Sequence, residues 1–387
     1  MNPLQLNPNF DFEEFLTDYW QQKPLYIPQL IPGFTDPLSP EELAGLAMEA
    51  DCESRLLEGT DPKSWTLSQG PFPEERFTAL PEDGWTLLVQ AVDQWNEEVY
   101  ELKQLFEFIP QWRIEDVMVS FAANGAGVGP HFDFYDVFLV QGSGERHWQL
   151  GPKYTSHSKQ SNCAGLSILD EFCKEFEYTL RPGDALYIPP QYGHWGKSIK
   201  RSLCYSIGFR APSSAEILEG YSDLLIDSCR PEDRYKDPSP HLPSQRGEIE
   251  EKSIEPSFER LLQLVENKAN YFRWFGESAT RPKYPTGITP LSEPLDALGL
   301  LDEIAAGATI AVNPGSRVSF LTLKSENETF LFVDGETIIL NKTKAWQAKS
   351  ICSSPEIASN ELLKMSQDPE ALKLLLTLLN QGSLISY

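Results

Sequence analysis

Gly129-Pro130-His131-Phe132-Asp133-Phe134-Tyr135-Asp136-Val137-Phe138-Leu139-Val140 is the stretch on which the fold turns. A glycine-rich turn from Asn124 to Pro130 leads into an apolar run from Tyr135 to Val140, and a run bounded in this way reads as a strand. His131 and Asp133 form an HxD at its mouth. Side chains two apart on an extended chain point the same way, so both enter one side of whatever the strand builds. Working outward, Val117 to Ala122, Arg146 to Leu150, Asp184 to Ile188 and Leu203 to Phe209 read as further short strands. Glycine and proline turns separate them and no long helix intervenes. That texture predicts an antiparallel barrel or jelly roll over residues 113–210.

The flanks are helical. Phe10, Phe12, Phe15, Leu16, Tyr19 and Trp20 make an apolar stripe that Pro24 ends, followed by an extended Leu25-Tyr26-Ile27-Pro28. Ser39-Pro40-Glu41-Glu42 is an N-cap with proline and acids behind it, opening a helix through Met48. Leu88, Val89, Val92, Trp95 and Val99 suggest a long amphipathic helix from Trp85 to Leu102. Beyond Phe209 the spacing predicts helices over Ala215 to Cys229 and Ser257 to Phe275, with a charged, proline-rich linker around 230–245 between them. A second Pro/Gly stretch, Arg281 to Pro294, marks a boundary. After it come a helix over 295–306, a strand from Val318 to Leu323, a second strand, a turn at Asp334-Gly335, a strand from Thr337 to Leu340, and closing helices. Helix, β-hairpin wing and helices together look like a winged helix. The whole is α+β, with expected domains at 1–212 (helical cap and barrel), 213–280 (helical segment) and 281–387 (winged helix).

Composition narrows the function classes. The 387 residues include 57 acidic and 32 basic side chains, a formal net charge of −25, which excludes a protein that coats nucleic acid through a basic face. Residues 1–100 hold 19 acids against 4 bases, a solubilising surface or a face that attracts a basic partner. Six cysteines are scattered at 52, 163, 173, 204, 229 and 352 with no CxxC pair, which suits a reducing compartment. Met1-Asn2-Pro3-Leu4 carries no secretory pattern, and the apolar run at Leu374 to Leu379 is far short of a membrane span, so a cytoplasmic protein is expected.

Of the five histidines, His194 stands out. It follows Leu186-Tyr187-Ile188-Pro189-Pro190 at the start of a late strand. Together with His131 and Asp133 it makes two imidazoles and one carboxylate on neighbouring barrel strands. This is the facial triad of non-haem Fe(II) oxygenases, which fills three octahedral positions and leaves three open. An HxD alone is weak, since an N-capping Asp at a strand end looks the same. The glycine-rich approach, the apolar strand behind it and the second histidine together raise the reading. A two-residue turn at Ser143-Gly144 would set Gln141 opposite Arg146, which directs Arg146 into the lumen that the metal ligands face. A lumen cation needs a counter-charge, and the distal carboxylate of 2-oxoglutarate fits it; the bland reading is a surface arginine paired with a nearby acid. His147 has the opposite parity and reads as structural, and His157 and His241 carry no special signal.

Asp11 to Ile27, His131 to Phe138 and Leu186 to His194 resemble the JmjC-type ribosomal oxygenases, most closely their bacterial RoxA-type branch. The likeness runs over nearly the whole chain, more loosely through the winged helix. It implies a double-stranded β-helix (cupin) barrel, with Fe(II), 2-oxoglutarate and O2 as cofactor and cosubstrates, and a homodimer held by the helices after the barrel. It also implies Cβ-hydroxylation of an arginine in large-subunit ribosomal protein L-sixteen. By position, His131, Asp133 and His194 match the iron ligands and Arg146 the residue that holds 2-oxoglutarate, with Ser120 and Ser206 as helper hydroxyls. A guanidinium substrate asks for acids near the mouth, where Asp116 and the Tyr135-Asp136 pair lie; by alternation Asp136 points away from Asp133. Gly144-Glu145 and Gly193 depart from the family's usual residues and bear on loop shape. The rival readings are the same chemistry on a histidine, a metal cupin acting on small molecules, and a non-catalytic binding module. No direct nucleic-acid or membrane contact is expected.

Overall fold

The computed structural model describes residues 4–59, 65–237, 245–323 and 327–387; His241 lies outside them. The chain divides into two compact units, Met1–Ala211 with Tyr284–Gly287, and Pro212–Lys283 with Ile288–Tyr387.

The first unit holds strands β1 (Leu25–Ile27), β2 (Ser54–Glu58), β3 (Thr66–Gln69), β4 (Trp85–Val89), β5 (Ile114–Ala122), β6 (Asp136–Gln141) and β7 (Arg146–Lys153). There follow β8 (Gln160–Cys163), β9 (Leu166–Leu169), β10 (Phe176–Leu180), β11 (Ala185–Ile188), β12 (Tyr192–Ser198) and β13 (Ser202–Phe209). Among the described residues, one antiparallel sheet runs β1-β11-β6-β13-β5-β4-β2-β3 and a second runs β10-β7-β12. The two face each other as a double-stranded β-helix.

Alternation decides what lies between the sheets. Val137 and Leu139 of β6, Trp148 and Leu150 of β7, Leu180 of β10, Leu186 and Ile188 of β11 and Cys204 of β13 form the core of the lumen. The intervening residues Phe138, Val140, Tyr187, Tyr205 and Ile207 turn to the outer face. There they pack with Val117 and Val119 of β5 and with Phe15 of helix α1 (Phe12–Asp18) and Leu43 of α2 (Pro40–Leu46). Asp11 caps α1, and Ser39 caps α2 in a reciprocal capping box with Glu42, as the sequence signals require. Asp136 has the outer parity and is fully buried. It accepts from Tyr187 Oη at 2.6 Å, Gln21 Nε2 at 3.1 Å and Arg113 Nη2 at 3.0 Å. It is a structural carboxylate, in line with the reading from alternation.

Three expectations are corrected. Trp85 to Leu102 is not one helix: Trp85–Val89 is a strand paired to β2 and β5, a 3-10 turn follows at Val92–Gln94, and α4 runs only from Glu97 to Gln104, capped by Asn96. The segment Thr86–Val89 is buried on both faces, so it shows no alternation and mimics a helical stripe. The sheet therefore begins well before residue 113, with β2, β3 and β4 added to its edge. Second, Ser143-Gly144 does not close a paired hairpin. β6 pairs with β11 and β13, whereas β7 pairs with β10 and β12, so the chain crosses between sheets at this turn and Gln141 is not opposite Arg146. A short α3 (Glu74–Thr78) completes the unit's α-helices among the described residues.

The third correction falls in the second unit. The expected helix Ser257 to Phe275 is two, α6 (Glu251–Val265) and α7 (Lys268–Thr280), because the Asn267 side chain accepts from the amide of Asn270 and restarts the helix. They follow α5 (Ser214–Ser228), opened by a Ser213/Glu216 capping box. Next come α8 (Ala297–Ala306), β14 (Ile310–Val312), β15 (Val318–Leu323), β16 (Glu328–Val333) and β17 (Glu336–Asn341). The unit closes with α9 (Ala345–Cys352), α10 (Ser359–Gln367), α11 (Pro369–Asn380) and β18 (Leu384–Ser386). Strands β15, β16 and β17 form the wing, β14 pairs with β18, and Leu300, Leu331, Ile351, Leu375 and Leu378 share its core.

Candidate active site

The glycine-rich approach works by proximity. A side chain on Gly127 would strike the carbonyl of Gly196 in β12, so only glycine lets the loop cross that strand. The loop is then locked to β12 by its backbone. His131 N donates to His194 O at 3.0 Å, His194 N to His131 O at 2.8 Å, and Gln191 N to Asp133 O at 2.6 Å. These three bonds bring together residues about 60 positions apart in the chain. The ligand atoms of His131, Asp133 and His194 all lie within 4.8 Å of one another.

Both imidazoles are pre-aimed. His131 Nδ1 lies 2.9 Å from Gly129 O and His194 Nδ1 lies 3.0 Å from Tyr192 O; a carbonyl only accepts, so each Nδ1 is the donor and each Nε2 is the ring nitrogen left for other contacts. Those Nε2 atoms stand 4.0 and 3.6 Å from Asp133 Oδ2. Burial, and next the adjacent His131, push the His194 pKa down to about 4, against the opposing charge of Asp133. His194 is therefore neutral near pH 7, the form that binds a metal. Two imidazole nitrogens and one carboxylate on one side of a cavity fit a divalent first-row metal with open positions opposite.

On the same lumen face, Arg146 is 6% exposed, and burial lowers its pKa. Its Nη1 donates to Ser120 Oγ at 2.9 Å; its Nε and Nη2 donate to Ser202 Oγ at 3.2 and 3.1 Å. Among the described residues no carboxylate lies within ion-pair distance of it. A buried guanidinium solvated only by hydroxyls and carbonyls is costly unless an anion joins it. In the β12–β7 ladder Ser198 pairs with Arg146 and His194 with Leu150, so guanidinium and metal ligands stand four residues apart along one strand. That is about 13 Å between Cα atoms. The wrong hairpin pairing thus led to the right lumen. The inward direction comes from β7's own alternation with Trp148 and Leu150.

Similarity to known proteins fits this geometry. The description "JmjC domain" matches residues 101–217 and "ROXA-like winged helix" matches residues 261–385. The chain is 33% identical over 381 residues to Ribosomal protein uL16 3-hydroxylase of Escherichia coli K12, covering 98% of each. The chain belongs to the JmjC-type ribosomal oxygenases. This oxygenase is also 38% identical to a Probable ribosomal oxygenase of Haemophilus influenzae, over 54% of its own length and 52% of that relative. Its fold superposes on the Escherichia coli ribosomal oxygenase YcfD in complex with cobalt and 2-oxoglutarate with a TM-score of 0.87, at 32% identity and 99% coverage of both chains. A second structure of that protein gives a TM-score of 0.90.

The remaining candidates of this ribosomal oxygenase fall as follows. Ser120 touches Arg146 directly. Ser206 faces the lumen two residues beyond Cys204, paired with Met118, and does not contact the guanidinium. Asp116 is buried on the same face beyond it, with Gly208 leaving room beside its carboxylate. Tyr135 keeps an exposed ring; burial of its hydroxyl, then the charges of Asp133 and Asp116, push its pKa far up. His147 faces outward toward Thr179 and Glu177, as its parity implies. Gly193 is explained by Tyr154, whose ring occupies the place of a side chain there. Ser202 and Ser198 were not singled out by motif. The signal was present in β13, where stepping back by two from Ser206 and Cys204 reaches Ser202 on the lumen face.

Proposed function

We propose that this oxygenase is an Fe(II)- and 2-oxoglutarate-dependent hydroxylase of a ribosomal protein, acting on an arginine of uL16 at Cβ. The observation that carries the reading is the buried Arg146, without a carboxylate partner among the described residues, beside a triad with both Nε2 atoms pre-aimed. In this reading His131, Asp133 and His194 hold the iron, and Arg146 with Ser120 grips the distal carboxylate of 2-oxoglutarate. Bound iron supplies the activation of O2 that side chains lack. The chain's task is positioning. Asp116 and Tyr135 at the substrate side suit a guanidinium, and the acids of residues 1–100 favour encounter with a basic protein. Incubation with Fe(II), 2-oxoglutarate, O2 and uL16 from the same organism should yield succinate and one added oxygen on a single arginine-containing peptide. An oxygen on histidine would move the target residue; no oxygen on any ribosomal protein would sink the proposal.

A homodimer is part of the same reading. Ile254, Phe258, Leu261 and Val265 form one exposed apolar stripe along α6, and Leu218 and Ile226 of α5 are exposed as well. A second copy, paired helix to helix, would cover them. The double substitution Phe258→Glu, Leu261→Glu should halve the mass seen in sedimentation velocity, and an unchanged mass would exclude this face. A cytoplasmic location accords with a ribosomal substrate; among the described residues no helix is long and apolar enough to cross a membrane.

A further inference from the structure

Arg146 offers its guanidinium to the lumen in a restricted way. Ser202 Oγ takes the Nε–H and one Nη2–H, and the carbonyls of Ser202 and Ser120, at 3.3 and 3.5 Å, share the other, so the Nε–Nη2 edge is fully engaged. With both lone pairs of Ser202 Oγ occupied, its own proton must be donated. Ser198 Oγ, 2.8 Å away, receives it, and in turn donates to a backbone carbonyl, that of Ala122 or Lys200. The result is a directional chain from Arg146 through Ser202 and Ser198 into the backbone, with all three side chains buried. On the other edge Nη1 makes a single bond, to Ser120 Oγ, and keeps one N–H. The Ser120 hydroxyl proton has only a long contact, 3.4 Å to Cys204 O. Two donors therefore stand side by side on the Nη1 edge.

We propose that Ser202 is a positioning residue for cosubstrate binding: by occupying the Nε–Nη2 edge of Arg146 it presents the Nη1–H and the Ser120 hydroxyl as the pair that takes a distal carboxylate. The inference rests on the reading of Arg146 given under Proposed function. Ser202 would touch neither metal nor cosubstrate. It acts by denying the guanidinium its usual two-nitrogen fork and holding it in one orientation.

The test is calorimetric binding of 2-oxoglutarate to the Fe(II) protein without O2. Ser202→Ala should weaken binding about tenfold, leaving Fe(II) affinity and kcat at saturating 2-oxoglutarate unchanged, and Ser202→Thr should restore it to within about twofold. Unchanged 2-oxoglutarate affinity in Ser202→Ala would overturn the proposal, as would Fe(II) affinity and kcat falling in step with it. If Ser202→Ala does not fold, Ser198→Ala loosens the chain one link farther out and should cost about threefold in the same constant, with no loss again counting against it. Failure of the unsubstituted protein to bind 2-oxoglutarate at all would instead remove the reading under Proposed function.

Discussion

Asp133→Ala is expected to lower metal affinity by at least about a hundredfold and to abolish product formation while leaving the fold in place. In this assignment Asp133 would supply the single negative charge of the triad; without it, two imidazoles would have to hold a divalent ion alone. The fold should survive because alanine keeps the backbone bond from Gln191 N to Asp133 O, and the side-chain hydrogen bond that is lost goes to the exposed Tyr135. Its side chain is partly exposed, so truncation opens no cavity in the core. Metal binding by calorimetry, read beside the urea midpoint, separates the two effects. Retained metal affinity, or a collapsed midpoint, would contradict this assignment.

Three residues on, the same side chain has the opposite task. Asp136→Ala should cost about 3–5 kcal/mol of stability, because it strips a fully buried carboxylate from Arg113, Tyr187 and Gln21 and leaves the guanidinium without its charge partner. Asp136→Asn keeps an acceptor in place and should lose less. Urea denaturation measures both. A change below about 1 kcal/mol for the alanine variant would mean that Arg113 finds another partner. Together the two aspartates separate chemistry from folding within four residues of chain.

The cluster of candidate ligands was legible because each member carries its own signal: a spacing of two, a glycine-rich approach and a histidine after a proline turn. Alternation likewise sorted Asp133 from Asp136, whereas Ser120 came from the family resemblance and Arg146 from a hairpin pairing that does not form. What escaped has physical reasons. Trp85–Val89 is buried on both faces and so lacks the polar half of a strand pattern. The break at Asn267 hides among polar residues that also suit a helix surface. The crossing at Gly142–Gly144 looks like a hairpin turn, yet its flanking strands belong to different sheets, a distinction that only distant pairing partners make. Stepping by two along β13 puts Ser202 on the lumen face, but its partners Arg146 and Ser198 come from β7 and β12, and no local spacing announces that meeting.

The seam between the HxD loop and β12 has a thermodynamic side. Backbone hydrogen bonds from Gly125, Ala126, His131 and Asp133 close it, and the ligand atoms across it come from segments that an unfolded chain holds far apart. A metal bound there would act as a staple across the barrel mouth. Because such an ion binds the folded chain far better than the unfolded one, every tenfold excess of free metal over its Kd adds about 1.4 kcal/mol to the barrel. Iron supply would then set how long the molecule lasts as well as how fast it works, and a cell short of iron would hold fewer intact copies of it.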